Sequence, residues 1–211
     1  MNGRWNAPIL IATLAAGACG SPGRDLEGRP KVTLLVHDYS GLSPSSLEAI
    51  ADQVRLVFAH AGVDLQWIPC SETDSRRPAQ CEAEAGPRRF TLRILAQYPK
   101  GWKRRGDPLG AAQIASFYAT LYAGEIRTNA AGKNVDATTL MAYAAIHEIL
   151  HLLLGPSHSG RGIMRGSWDK SLCSDMAHRR LVLSPAERDS VGRALRTAAP
   201  RESAHNGVES P

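Results

Sequence analysis

Aromatic side chains are scarce in this chain of 211 residues: 6% in all, with Phe 3, Tyr 5 and Trp 4. Proteins that bind single-stranded nucleic acid stack bases on aromatics interleaved with basic residues. Here the basic groups Arg76-Arg77, Arg88-Arg89, Lys103-Arg104-Arg105 and His178-Arg179-Arg180 stand apart from one another and lack that interleaving. The net charge of +5 therefore reads as a solvated basic surface, and no nucleic-acid partner is expected. Cysteine is also sparse, with 4 residues, which excludes a small scaffold stapled by disulfides. No internal repeat is visible, which argues against solenoids and propellers. What remains is an ordinary globular composition, 43% apolar and 21% charged, long enough for one domain with its own core.

Near the N-terminus, Arg4 precedes the apolar run APILIATLAAGA (7–18), which is too short to span a bilayer permanently. Residues 1–18 read as a signal peptide. The segment LAAGAC resembles a bacterial lipobox, with Cys19 as the acylated residue, although Ala16 stands where leucine is usual. Cleavage after Ala18 without lipidation is the competing reading. Either way the protein is expected to be exported, as an envelope lipoprotein tethered through Cys19 or as a secreted or periplasmic monomer. Residues 19–30 are rich in Gly, Pro and charge and read as a linker, and 199–211 as a disordered tail. Export favours a Cys70–Cys81 disulfide across the polar loop between them. Cys173 is left over, as a buried thiol or as a competitor for one of those two.

The domain is expected to occupy 31–198. Val32–Val36 is a short β-branched run, a buried strand. Ser43-Pro44 supplies an N-cap and a first-turn proline, and apolar residues from Leu47 to Ala61 recur at helical spacing up to Gly62. Val63–Ile68, Phe90–Leu95, Leu109–Ala115 and Phe117–Tyr122 read as further strands, and Asn129–Asn134 as a turn or flexible loop. Good helix formers run from Asp136 to Leu154. Ser184-Pro185-Ala186-Glu187 is a capping box that opens a last helix. The order predicts an α/β (α+β) domain, a mixed sheet of four to five strands with a backing helix and a small helical C-terminal part.

The chemistry lies in HEILHLLLGPSHSGRGIM, His147 to Met164. His147 and His151 are one turn apart on a helix, so both imidazoles reach one ion. In HExxH the glutamate, here Glu148, is not a ligand but the base for a water at the metal. Placing two imidazoles and a carboxylate among Ile146, Ile149, Leu150 and Leu152 is costly unless a metal or hydrogen bonds compensate. The competing reading is a core helix with two hydrogen-bonded histidines and a salt-bridged glutamate. A catalytic Zn2+ needs a third protein ligand. Gly155-Pro156 breaks the helix and presents His158 just beyond the turn. Asp169, Asp175 and Glu187 are the rival third ligands.

This segment resembles the metzincin clan of zinc metalloproteases, HExxHxxGxxH followed by a Met-turn, most closely its matrixin-like branch. His147, Glu148, His151 and His158 fall on the four functional positions, Ser159 matches the HS that follows in that branch, and Gly162-Ile163-Met164 is similar to the Met-turn. Gly155 and His158 each lie one residue later than in the clan pattern, with Leu154 in the glycine position, so the helix is expected to run one residue longer. The resemblance implies a zincin-like fold, Met164 as an apolar floor under the metal, a protein or peptide substrate laid along an edge strand (Leu109–Ala115), and zinc-dependent endopeptidase activity. The alternative is a catalytically inactive exported zinc-binding module that recognises a peptide or envelope partner.

Overall fold

Apolar residues alternate along β1 (Lys31–Tyr39), so that Val32, Leu34 and Val36 face the main core, while Leu35 is buried on the other side of the sheet. In this computed structural model the described residues are 28–70, 78–99 and 108–197. The expected signal peptide, Cys19, the linker up to residue 27 and the tail 199–211 lie outside them.

Helix α1 (Pro44–His60) starts where the sequence places it. Ser43 caps it by accepting the Ser46 N–H at 3.1 Å, and Pro44 occupies the first turn, where no N–H is missed. Ile50, Val54, Val57 and Phe58 are fully buried along one stripe. Each contributes about 1.5–3 kcal/mol by leaving water. Gly62 then turns the chain with φ 74° into β2 (Asp64–Pro69), parallel to β1. A Cys70–Cys81 disulfide ties the end of β2 to a short 3-10 turn at Ala79–Glu82, with both sulfurs in a small cluster with Leu35 and Ile68.

Strand β3 (Arg89–Leu95) pairs parallel to β1, and β5 (Tyr118–Tyr122) parallel to β3. The edge strand β4 (Gly110–Gln113) runs antiparallel to β5, giving the order β2-β1-β3-β5-β4. The strand expected over Leu109–Ala115 is thus shorter: Ile114–Ser116 form a 3-10 turn, and Phe117 is left-handed at φ 58°, which ends strand geometry.

Two helices depart from the sequence expectation. Asn129–Asn134 is not a loop but the end of α2 (Ala123–Lys133), with Asn134 as its left-handed cap at φ 54°. Only Ala123, Ile126 and Ala130 are buried on this helix, too small a stripe to register as helical periodicity. Helix α4 (Lys170–Ala177) is the second, a helix additional to those the sequence predicts; Asp169 caps it through the Leu172 N–H at 2.9 Å. The last helix, α5 (Pro185–Thr197), follows the capping box, in which Glu187 accepts the Ser184 N–H at 2.7 Å.

The central helix is α3 (Ala137–Leu154), capped by Asp136. It is long and apolar enough to cross a membrane, but 72% of that stretch is buried inside the protein, as a core helix requires. Tyr143 fastens it: its hydroxyl donates to the Leu181 carbonyl at 2.9 Å and accepts from Gln53 Nε2 at 3.1 Å. Burial pushes the Tyr143 phenol up to about 12, so it stays a donor at any ordinary pH.

Candidate metal centre

The helical spacing of His147 and His151 puts both rings on the face of α3 that looks out of the core, with only 8% and 7% of their surface exposed. The helix continues to Leu154, and Gly155 turns it at φ 96°, ψ −175°, a region open essentially to glycine alone. The one-residue offset in the motif is absorbed there. The chain doubles back and brings His158, which is exposed, against the two helical rings.

The three Nε2 atoms form a triangle with sides of 3.0 Å (His147–His151), 3.2 Å (His147–His158) and 3.3 Å (His151–His158). A tetrahedral ion with bonds of 2.0–2.1 Å separates its nitrogen ligands by about 3.3 Å, close to these values. Proton positions lead to the same reading. His147 Nδ1 lies 2.8 Å from the Ile163 carbonyl and His151 Nδ1 2.9 Å from the Gly155 carbonyl. A carbonyl only accepts, so each Nδ1 carries the proton and each neutral ring turns a lone pair inward. Two lone pairs at 3.0 Å repel unless a cation lies between them. A shared proton is disfavoured: burial, helped by the neighbouring imidazoles, outweighs the Ile163 carbonyl and pushes His147 down to about 4. Burial also lowers His151. The three side chains form a group that can hold a metal ion.

Glu148 sits on the same face, 7% exposed, and lines the same cavity of about 430 Å³. Its carboxylate packs against Gly110 at the start of β4. A Cβ at that position would lie 2.8 Å from Glu148 Cγ and Oε1 and 2.9 Å from the Thr120 carbonyl oxygen. Only glycine lets the edge strand come this close.

The turn after His158 is held from within. Ser159 N–H donates to the Met164 carbonyl at 2.8 Å, and Trp168 Nε1 donates to the Ile163 carbonyl at 3.2 Å. The Ile163 carbonyl thus orients His147 and anchors Trp168, whose ring stands edge-on to His147 at 5.6 Å between centroids. Sequence reading missed Gly110, the Ile163 carbonyl and Trp168 because main-chain acceptors and close backbone approaches leave no residue signature. Met164 is buried at 3% exposure, in the main apolar cluster.

No protein-family profile matches the sequence, and no curated protein does. By structure, the chain is similar to the archaemetzincin of Methanopyrus kandleri, with TM-score 0.50 and 14% identity over 83% of this chain and 99% of that one. The fold is zincin-like. This zincin-like chain also has weaker likenesses to a zinc-dependent peptidase from Methanocorpusculum labreanum (TM-score 0.48, 15% identity, 76% of this chain and 99% of that) and to metalloproteinase-II from Bacteroides fragilis (0.49, 10%, 79% and 54%). Within the zincin-like domain the rival third ligands are engaged elsewhere. Asp169 caps α4 and pairs with Arg165 at 2.7 Å, Asp175 pairs with Arg180 at 2.9 Å, and Glu187 closes its capping box. Cys173 is a free, buried thiol.

Proposed function

We propose that this chain is a zinc-dependent endopeptidase of the matrixin-like metzincin type, exported and acting on protein or peptide substrates. The observation that carries the reading is the nitrogen triangle of His147, His151 and His158 opening into the same cleft as Glu148 and the edge strand β4. Those three imidazoles would hold the zinc, with Met164 in the apolar floor beneath. When bound by such a set, zinc supplies Lewis acidity, polarising a carbonyl and acidifying water.

The chain's own residues do the rest. β4 ends the sheet, and Pro108 to Ala112 line the cleft, so an extended peptide can add as a further strand. Glu148, held against Gly110, takes the proton of the attacking water on its carboxylate and passes it to the leaving amine as the amide bond breaks. The Nδ1–carbonyl bonds of His147 and His151 keep both Nε2 lone pairs aimed at the ion. The archaemetzincin likeness supports the metzincin reading, and the hydrogen bond between Ser159 and the Met164 carbonyl supports a Met-turn tied to the third histidine. Export and lipidation at Cys19 belong to this proposal. A disulfide such as Cys70–Cys81 persists in an oxidising compartment, which fits export.

The test is Glu148→Gln assayed on casein or a quenched peptide. Turnover is expected to fall by about 10³-fold with one zinc per chain retained. Peptide cleavage at the wild-type rate would remove Glu148 from its role. Zinc binding by a wild type that cleaves no unfolded protein would favour an inactive recognition module.

A further inference from the structure

The cleft continues past the imidazoles to the C-terminal turn of α2, where Lys133 and Asn129 line it. Lys133 is half-buried, and its Nζ donates to Asn129 Oδ1 at 2.9 Å, while Asn129 Nδ2 donates to the Glu125 carbonyl at 3.1 Å. The ammonium is thereby fixed on the wall of the cavity by a neutral acceptor. Among the described residues no carboxylate pairs with it. Arg165, the other permanent cation among the described residues that line the cleft, is already neutralised by Asp169.

A small residue, Ala144, and an aromatic, Trp168, line the same cleft as Lys133 and the nitrogen triangle. Ala144 lies one helical turn before His147 and Glu148, and its methyl adds little bulk to the cleft wall. Trp168 stands edge-on to His147 and lines the same space. A lysine at a helix C-terminus also offsets the helix dipole, but a fully exposed one would do so equally. A cleft with apolar walls and an ammonium held by a neutral acceptor fits a side chain with an apolar stem and an anionic tip.

We infer that Lys133 is a specificity-determining residue that selects a substrate carboxylate beside the scissile bond. The inference rests on the peptidase reading above. The carboxylate has two sources of the same chemistry: a glutamate or aspartate side chain inside a peptide, or the free C-terminus of a residue one or two positions beyond the cleaved bond.

The experiment uses the zinc-loaded full chain and matched peptides. One set carries Glu, Gln or Lys on either side of the cleaved bond, with both ends blocked. The other set carries Gln there and ends in a free acid or an amide. The wild type is expected to favour the carboxylate form of one set by about tenfold in kcat/KM, the first set pointing to a side chain and the second to a C-terminus. Lys133→Met should bring that ratio to about one, and Lys133→Glu should shift preference to the Lys peptide. Anisotropy binding of the same peptides to zinc-loaded Glu148→Gln reads the selection without turnover. Selective binding by Glu148→Gln together with no hydrolysis of any of these peptides by the zinc-loaded wild type would sink the peptidase reading and keep the carboxylate site. Hydrolysis with Glu and Gln, and acid and amide, handled alike would overturn the assignment and keep the peptidase. A preference that survives in Lys133→Met with full zinc content would also overturn it.

Discussion

The two sides of the nitrogen triangle are built in different ways. Helix α3 offers His147, His151 and Glu148 from a buried, capped and hydrogen-bonded rod, and the spacing of the sequence alone sets their geometry. The turn from Gly155 to Trp168 offers His158 from an exposed position, and its geometry depends on a left-handed glycine and on main-chain carbonyls. The helix is fixed by the fold whether or not an ion is bound. The turn is a short segment whose placement the ion itself would help to hold.

Removing ligands one at a time should separate the two sides. His147→Ala is expected to lower zinc affinity by about 10³-fold, an equal third of about 12 kcal/mol of binding. It should also destabilise the metal-free protein by about 2 kcal/mol, since it leaves a cavity and the Ile163 carbonyl short of a donor. His158→Ala should lower affinity similarly but leave metal-free stability within about 0.5 kcal/mol, because the side chain is exposed. Zinc titration and urea melts in chelator check both. If the two variants were equally destabilised, the contrast between rod and turn would fail.

Gly110→Ala tests the closeness of β4 to the helix. Its methyl would meet Glu148 at 2.8 Å, so the carboxylate must shift. Activity is expected to drop by about 10²-fold with zinc content unchanged, as for a catalytic group displaced by about 1 Å. Unimpaired turnover would mean that the edge strand does not set the carboxylate's position.

The pH dependence of the metal-free protein should sharpen the difference further. Folding holds His147 at about 4, below its ordinary value near 6.5, so the unfolded chain binds the proton more readily. Stability therefore rises with pH through this window: about 3 kcal/mol is present above pH 6.5 and lost as pH falls toward 4. Denaturant melts from pH 4 to 7 should show that slope, and it should flatten in His147→Ala but persist in His158→Ala. The smallest effect is expected for Gly155→Ala. Its φ of 96° costs a side chain about 1–3 kcal/mol, read as a lower melting temperature together with weaker zinc binding.

What the sequence made legible follows the same division. The strands of the sheet and α1 announce themselves through alternation, periodicity and the Ser43-Pro44 cap. The pair His147 and His151 is readable because a helix converts spacing into proximity. His158 was reachable from Gly155-Pro156, since a break there leaves the chain little choice but to reverse. Helix α2 was hidden because it buries only two alanines and one isoleucine, and its closing Asn134 looks like loop composition. Asp169 reads as a rival ligand because a carboxylate's role as a helix cap depends on which N–H groups face it, and α4, with 8 residues, is too short for its periodicity to stand out. Gly110 and the Ile163 carbonyl act through backbone position, which only the fold supplies.

Zinc-edge X-ray absorption on wild type and Glu148→Gln addresses the central claim most directly. Both proteins should show one ion with three imidazole nitrogens at about 2.0–2.1 Å and the same protein ligand set. A spectrum with two imidazoles, or one in which a carboxylate oxygen disappears on Glu148→Gln, would contradict it.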